Sequence, residues 1–195
     1  ALTGIDAISH AVETFVTKRR SESSLRYSCE AWRLLAGNFR TVLQQPGNLE
    51  ARSAMQIAAA SAGEAIQKPI LGAAHALPNP LTATYGIAHG QAVGITLPAV
   101  VRFNGQQYDD WYRELLSRTE DIDGLPSVEG GAEGLAGFLT QLVDLAGLET
   151  KLEACGVERN RLSAMATAAA DQWTGTFNPR PVDAESLLAM YESVF

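Results

Sequence analysis

Apolar residues in this chain recur mainly with helical spacing and rarely alternate with polar ones as they would in a strand. Between about residues 90 and 101, for example, Val93, Leu97 and Val100 lie on one helical stripe, although the β-branched residues of this segment also permit a strand. The pattern and its Pro and Gly breaks predict helices over about residues 3–18, 23–43, 49–67, 89–101, 107–118, 129–146, 159–173 and 183–195. We therefore predict an all-α fold, with residues 1–195 forming a single helical domain.

Composition excludes several classes of function. The 195 residues carry a formal net charge of −7, which argues against a nucleic-acid-binding surface because such surfaces concentrate Lys and Arg. No apolar stretch approaches the roughly 20 residues that a membrane helix requires, so no membrane interaction is expected. Two cysteines without the spacing of a metal clip fit a reducing compartment, and we predict a cytoplasmic protein.

The chain contains only three histidines, and together with one aspartate they could bind a metal ion. Asp6 and His10 are four residues apart and project from the same face of a helix. His75 and His89 would be separated by about 21 Å on one unbroken helix, because each residue adds about 1.5 Å. Two prolines and a glycine in the intervening residues 76–88 allow the chain to bend back. The spacing therefore predicts a bend that brings the two histidines together.

One carboxylate and three imidazoles, without a thiolate, suit Fe(II), Zn(II), Co(II) or Mn(II) better than Cu(I) or an iron–sulfur cluster. The alternative is structural. Each histidine could be a hydrogen-bonded core residue, and Thr3 with Asp6 could form a capping box at the start of the first helix.

The same residues carry a resemblance to a known family. The string Gly-Ile-Asp-Ala-Ile-Ser-His-Ala-Val-Glu at residues 4–13, followed by His75 and then His89-Gly90, resembles the iron-containing alcohol dehydrogenases. The resemblance covers most of the chain and includes Asn-Pro-Arg-Pro at 178–181. It implies the C-terminal helical domain of a dehydroquinate-synthase-like fold, with metal ligands at Asp6, His10, His75 and His89.

The resemblance also implies a chemistry. The divalent ion, Fe(II) or alternatively Zn(II) or another ion, would polarise the oxygen of a small alcohol, aldehyde or ketone during hydride exchange with NAD or NADP. The dinucleotide-binding N-terminal domain of the family has no counterpart in this chain, so hydride transfer by the segment alone is not expected. The cleft surface that a missing domain would leave uncovered favours self-association into a homo-oligomer.

Asn79 marks a departure from the family pattern. Many family members have a histidine at this position, four residues after the third ligand and near the nicotinamide. Asn79 is our candidate catalytic residue, but an amide does not titrate near neutral pH, so it could orient a substrate or the nicotinamide without relaying protons. The alternative is a turn residue between Pro78 and Pro80.

Two other functions stay open. A glycerol-dehydrogenase-like or dehydroquinate-synthase-like enzyme would use a similar helical metal domain, although the Asp6 and His10 pair favours the iron-containing branch. A noncatalytic helical module would use its histidines only for core hydrogen bonds.

Overall fold

The computed structural model describes residues 1–122 and 124–195, and within them it contains helices and no strand. The α-helices are α1 (Leu2–Phe15), α2 (Glu22–Gln44), α3 (Leu49–Ile66), α4 (Ala73–Ala76), α5 (Pro78–Tyr85), α6 (His89–Leu116), α7 (Gly131–Leu145), α8 (Leu162–Ala170) and α9 (Ala184–Ser193). The predicted all-α class is confirmed.

Polar side chains at three helix starts explain where those helices begin. The side chains of Ser21, Asn48 and Asp183 accept backbone N–H groups from the first turns of α2, α3 and α9. Each cap satisfies a donor that has no partner within its own helix. The predicted boundaries of these helices were accordingly close to the observed ones.

Helix α1 lies in the interior, packed against α2, α3 and α6. Its Ile8 and Phe15 side chains are fully buried in the main core. Trp32 of α2 is buried in the same core, where its indole N–H donates to the Thr119 hydroxyl at 3.3 Å and its ring packs edge-on against Phe138. Most of α1 is therefore enclosed by protein, and its polar residues Ser9 and Thr14 are buried.

Helix α6 combines two of the predicted helices. The segment from His89 is helical, so the strand alternative is wrong, and two helical stretches meet at a kink at Tyr108, close to the predicted helix start at about 107. The only departure from helical dihedral angles inside it is at Tyr108. Asn104 and Gly105, which lie between the two predicted helices, are helical and serve packing: the Asn104 amide pairs with Asn178, and a Cβ on Gly105 would lie 2.3 Å from the Ala132 Cβ.

The C-terminal part covers the segment that contains His75. Helix α8 packs against α9 and ends at Ala170, three residues earlier than the predicted end at 173, and a 3-10 turn over Trp173–Phe177 follows it. This turn lies against α4. No helix in the described part of the chain is long and apolar enough to cross a membrane.

Candidate metal centre

Helix α1 presents three polar side chains on one face. Asp6, His10 and Glu13 follow one another at intervals of four and three residues, so they lie on the same side of the helix. The capping box proposed for Thr3 and Asp6 is wrong, because α1 begins at Leu2 and its N-cap, Ala1, makes no side-chain hydrogen bond. The Asp6 carboxylate instead faces the histidines.

The predicted bend between His75 and His89 is confirmed. His75 lies in the short helix α4, and α5 begins directly at Pro78, where a missing N–H costs no helical hydrogen bond. Gly86 ends α5 with φ of 67°, a left-handed conformation that glycine adopts without steric cost. His89 then opens α6, and the chain has turned back toward α1.

A close helix approach places His89 near Asp6. A Cβ on Gly90 would lie 2.3 Å from the carbonyl oxygen of Leu2, so the start of α6 can touch the start of α1 only because residue 90 has no side chain. His89 is next to this contact in sequence. The glycine therefore positions the fourth predicted ligand.

All three histidines lie near one carboxylate oxygen of Asp6. The Asp6 Oδ1 atom lies 3.5 Å from His10 Nε2, 3.4 Å from His75 Nε2 and 3.6 Å from His89 Nε2. Asp6, His10 and His75 form the tightest group, with donor atoms all within 4.8 Å of one another. His89 is the most exposed member, with 39% of its side-chain surface accessible.

Two observations fit a metal ion at this point. Asp6 Oδ1 and His75 Nε2 are buried and have no hydrogen-bond partner among the described residues, an arrangement that is costly unless something else binds them. In addition, donors placed about 2.0–2.2 Å from a tetrahedral ion lie about 3.3–3.6 Å apart, which matches the three Asp6–histidine distances. His89 lies outside the group whose donor atoms are all within 4.8 Å of one another, so its match rests on the distance to Asp6 alone. The donor set and its spacing therefore suit a divalent ion.

Without an ion, the pKa values of the four side chains shift in different directions. Burial would raise the pKa of Asp6, but His75, His10 and His89 together lower it below its ordinary value. Burial and the neighbouring His75 lower the pKa of both His10 and His89, against the opposing effect of Asp6. These three groups are thus shifted toward the deprotonated forms that bind metals.

His75 shifts in the opposite direction. Burial would lower its pKa, but the Glu13 and Asp6 carboxylates raise it to about 9. An ion that binds His75 Nε2 near neutral pH must therefore displace a proton.

Sequence reasoning missed Glu13. Its Oε2 atom lies 2.5 Å from His75 Nδ1, and its Oε1 atom accepts the backbone N–H groups of Gly72 and Ala74 at 3.2 and 2.7 Å. The residue is buried, with 6% exposure. A signal was available, because Glu13 continues the i, i+4 face of Asp6 and His10 and is an acid in an otherwise apolar part of α1.

Asn79 lies outside the cluster. It is exposed one turn beyond His75, and its side-chain amide donates to Gln172 Oε1 at 2.9 Å. The turn interpretation is wrong for this residue, since it lies within α5. Gln172 had no signal in the sequence, because its position beside Asn79 depends on how the turn after α8 packs.

Comparison with known proteins agrees with this architecture. A model of the Fe-containing alcohol dehydrogenase family, C-terminal, matches residues 1–195. The 1,3-propanediol dehydrogenase of Klebsiella pneumoniae is 29% identical over 100% of this chain and 50% of its own length. The lactaldehyde reductase of Escherichia coli (strain K12) is 28% identical over 100% of this chain and 50% of its own.

A solved structure agrees as well. The crystal structure of a 1,3-propanediol oxidoreductase superposes with a TM-score of 0.92 at 29% identity, and covers 100% of this chain and 51% of that one. The chain spans about half the length of the curated relatives it matches. Over its whole length it belongs to the iron-containing alcohol dehydrogenase family, as the C-terminal helical domain of that fold.

Proposed function

We propose that this chain provides the metal-binding half of a metal-dependent alcohol dehydrogenase. Asp6, His10, His75 and His89 would bind a divalent ion, Fe(II) or alternatively Zn(II) or another ion of similar preference. The observation that carries the proposal is the convergence of three imidazole nitrogens on one buried carboxylate oxygen without a hydrogen-bond partner.

The ion would supply Lewis acidity that polarises an alcohol or carbonyl oxygen while a nicotinamide, from NAD or NADP, exchanges hydride. The residues of this chain would position that chemistry. His75 is enclosed by protein, whereas His89 borders solvent, so a small substrate would approach from the His89 side. The dinucleotide would be bound by a region outside this chain, which is consistent with the chain matching about half of each relative.

The substrate would be a small alcohol, aldehyde or ketone. Support comes from the relatives, which are named for 1,3-propanediol and lactaldehyde. We further propose that the whole protein acts in the cytoplasm, and the free thiols of Cys29 and Cys155 are consistent with a reducing compartment.

Asn79 is proposed as a residue that orients substrate or nicotinamide. Its amide is exposed and held by Gln172, and it offers both a donor and an acceptor. It cannot relay protons as a histidine could. It should therefore contribute to activity without contributing to ion binding.

The cluster argues against a noncatalytic module. Histidines that served only the core would hydrogen-bond their buried nitrogens, whereas His75 Nε2 has no such partner in the described residues. The ion is the simplest partner for this nitrogen.

Metal content after anaerobic reconstitution with Fe(II) or Zn(II) tests the proposal. We expect one ion per chain for the unaltered sequence and for Asn79→Ala, and none above background for Asp6→Asn. Asp110→Asn is the matched control, since it removes the same charge from an exposed residue outside the cluster, on helix α6. Equal ion content in the Asp6→Asn and unaltered proteins would contradict the proposed site.

A further inference from the structure

Glu13 makes contacts on both of its carboxylate oxygens. One oxygen lies 2.5 Å from His75 Nδ1, and the other accepts the N–H groups of Gly72 and Ala74. Glu13 belongs to α1, the helix that also carries Asp6 and His10. It therefore ties the start of α4, and the ligand that α4 carries, to the helix that provides the first two ligands.

The contact with His75 also selects a form of the imidazole ring. A neutral imidazole has one nitrogen that donates and one that accepts, and a carboxylate only accepts. Both ring nitrogens face a carboxylate, but the Nδ1 contact with Glu13 is 2.5 Å and the Nε2 contact with Asp6 is 3.4 Å, so the neutral ring keeps its proton on Nδ1 and its lone pair on Nε2. That nitrogen points to the Asp6 carboxylate at 3.4 Å and has no hydrogen-bond partner among the described residues.

We propose that Glu13 is a positioning residue that holds His75 as the Nδ1–H tautomer and presents its Nε2 atom to the metal centre. The inference rests on the proposed metal function and names the residue that prepares one of its ligands. Outer partners of this kind orient metal-binding histidines and raise their basicity.

Glu13→Gln gives a sharp test. The glutamine oxygen can still accept from Gly72 and Ala74, but its NH₂ group then faces His75 Nδ1. The reverse orientation would place NH₂ against two backbone N–H groups. His75 Nδ1 must therefore become an acceptor, and the proton moves to Nε2, where it blocks the ion.

Two measurements follow. Competition titration with Zn(II) should give a Kd that is about 10–100-fold weaker for Glu13→Gln than for the unaltered chain. Glu133→Gln, which removes the same charge from an exposed pair with Arg102, should leave the Kd unchanged. Circular dichroism of the metal-free proteins checks that each variant keeps its helices.

The second measurement needs no ion. Long-range nitrogen–proton NMR spectra of metal-free protein, recorded above the His75 pKa of about 9 and assigned with His75→Ala, report which ring nitrogen carries the proton. We expect Nδ1–H in the unaltered chain and Nε2–H in Glu13→Gln.

The outcomes separate this inference from the proposed function. An unaltered chain that binds no ion, but shows the tautomer change, would support the role of Glu13 and overturn the metal function. Normal Zn(II) binding by Glu13→Gln, or an Nε2–H form in the unaltered chain, would overturn the role of Glu13 alone.

Discussion

The candidate metal centre has two unlike sides. On the buried side, His75 is 6% exposed and lies against the Glu13 carboxylate, which in turn accepts two backbone N–H groups. On the open side, His89 begins a helix, borders solvent and contacts the cluster through Asp6. The difference separates two requirements of the proposed site: one candidate ligand is held by the protein interior, and another borders the solvent from which a substrate would approach.

Substitution of each histidine should reveal this difference in stability. His75→Ala leaves the Glu13 carboxylate buried without its imidazole partner, and breaking a buried pair in this way costs about 3–5 kcal/mol. His89→Ala removes a more exposed ring and should cost no more than about 1 kcal/mol. Urea denaturation of the metal-free proteins measures both.

Each variant should also lose ion binding, because each lacks a ligand. If the two substitutions changed the free energy of unfolding equally, the buried and open sides would not differ as the contacts indicate.

The two sides also differ in the direction of their pKa shifts. His75 has a pKa raised from 6.5 to about 9, whereas the pKa of His89 is lowered. A group with a raised pKa stabilises the folded state fully below its unfolded pKa, and this stabilisation is lost as the pH rises through the folded pKa. Metal-free protein should therefore lose stability, at most about 3 kcal/mol, between pH 6.5 and 9.

Denaturation midpoints across this pH range measure the loss. Glu13→Gln should flatten the curve, because Glu13 is the largest contributor that raises the pKa of His75. With saturating Zn(II) the trend should reverse, because fewer protons then compete with the ion as the pH rises. A flat curve for the metal-free unaltered chain would mean that the buried pair does not stabilise the fold through a bound proton.

Much of this site could be predicted from the sequence because the ligand signals are local. Asp6 and His10 share a helix face, and the prolines and Gly86 mark the bend that returns His89 to them. Residue type and spacing predicted the four side chains that the structure brings near one another, Asp6 and the three histidines. Most helix positions also followed from periodicity, where caps such as Ser21 and Asn48 support it. The short helices α4 and α5 did not, because they lie in the segment that was predicted only as a bend.

The rest depends on contacts between distant segments. Asn104 and Gly105 lie between two predicted helices, but they are helical and serve an amide pair with Asn178 and a close approach to Ala132. Glu13 likewise acquires its role only when α4 packs against α1. A residue type that has several uses can be assigned to one of them only after its tertiary neighbours are known.

Gly90 is another such residue, and its substitution tests the contact that positions His89. In Gly90→Ala the new methyl group would lie 2.3 Å from the Leu2 carbonyl oxygen, so α6 must move away from α1 and carry His89 with it. Such overpacking costs about 1–3 kcal/mol, of which the better helix propensity of alanine recovers at most about 1 kcal/mol. Thermal denaturation and Zn(II) titration should show lower stability and a weaker Kd.

Gly137→Ala is the matched control, because residue 137 lies inside α7 and a Cβ there meets no described atom within 4 Å. Its helix propensity gain is unopposed, so it should stabilise the protein by up to about 1 kcal/mol and leave Zn(II) affinity unchanged. If Gly90→Ala lowers the stability and Gly137→Ala raises it, the cost of the first substitution lies in the contact between α1 and α6. Equal stabilisation by both, with no change in affinity, would mean that α6 can shift without disturbing His89, and that the open side tolerates displacement which the buried side does not.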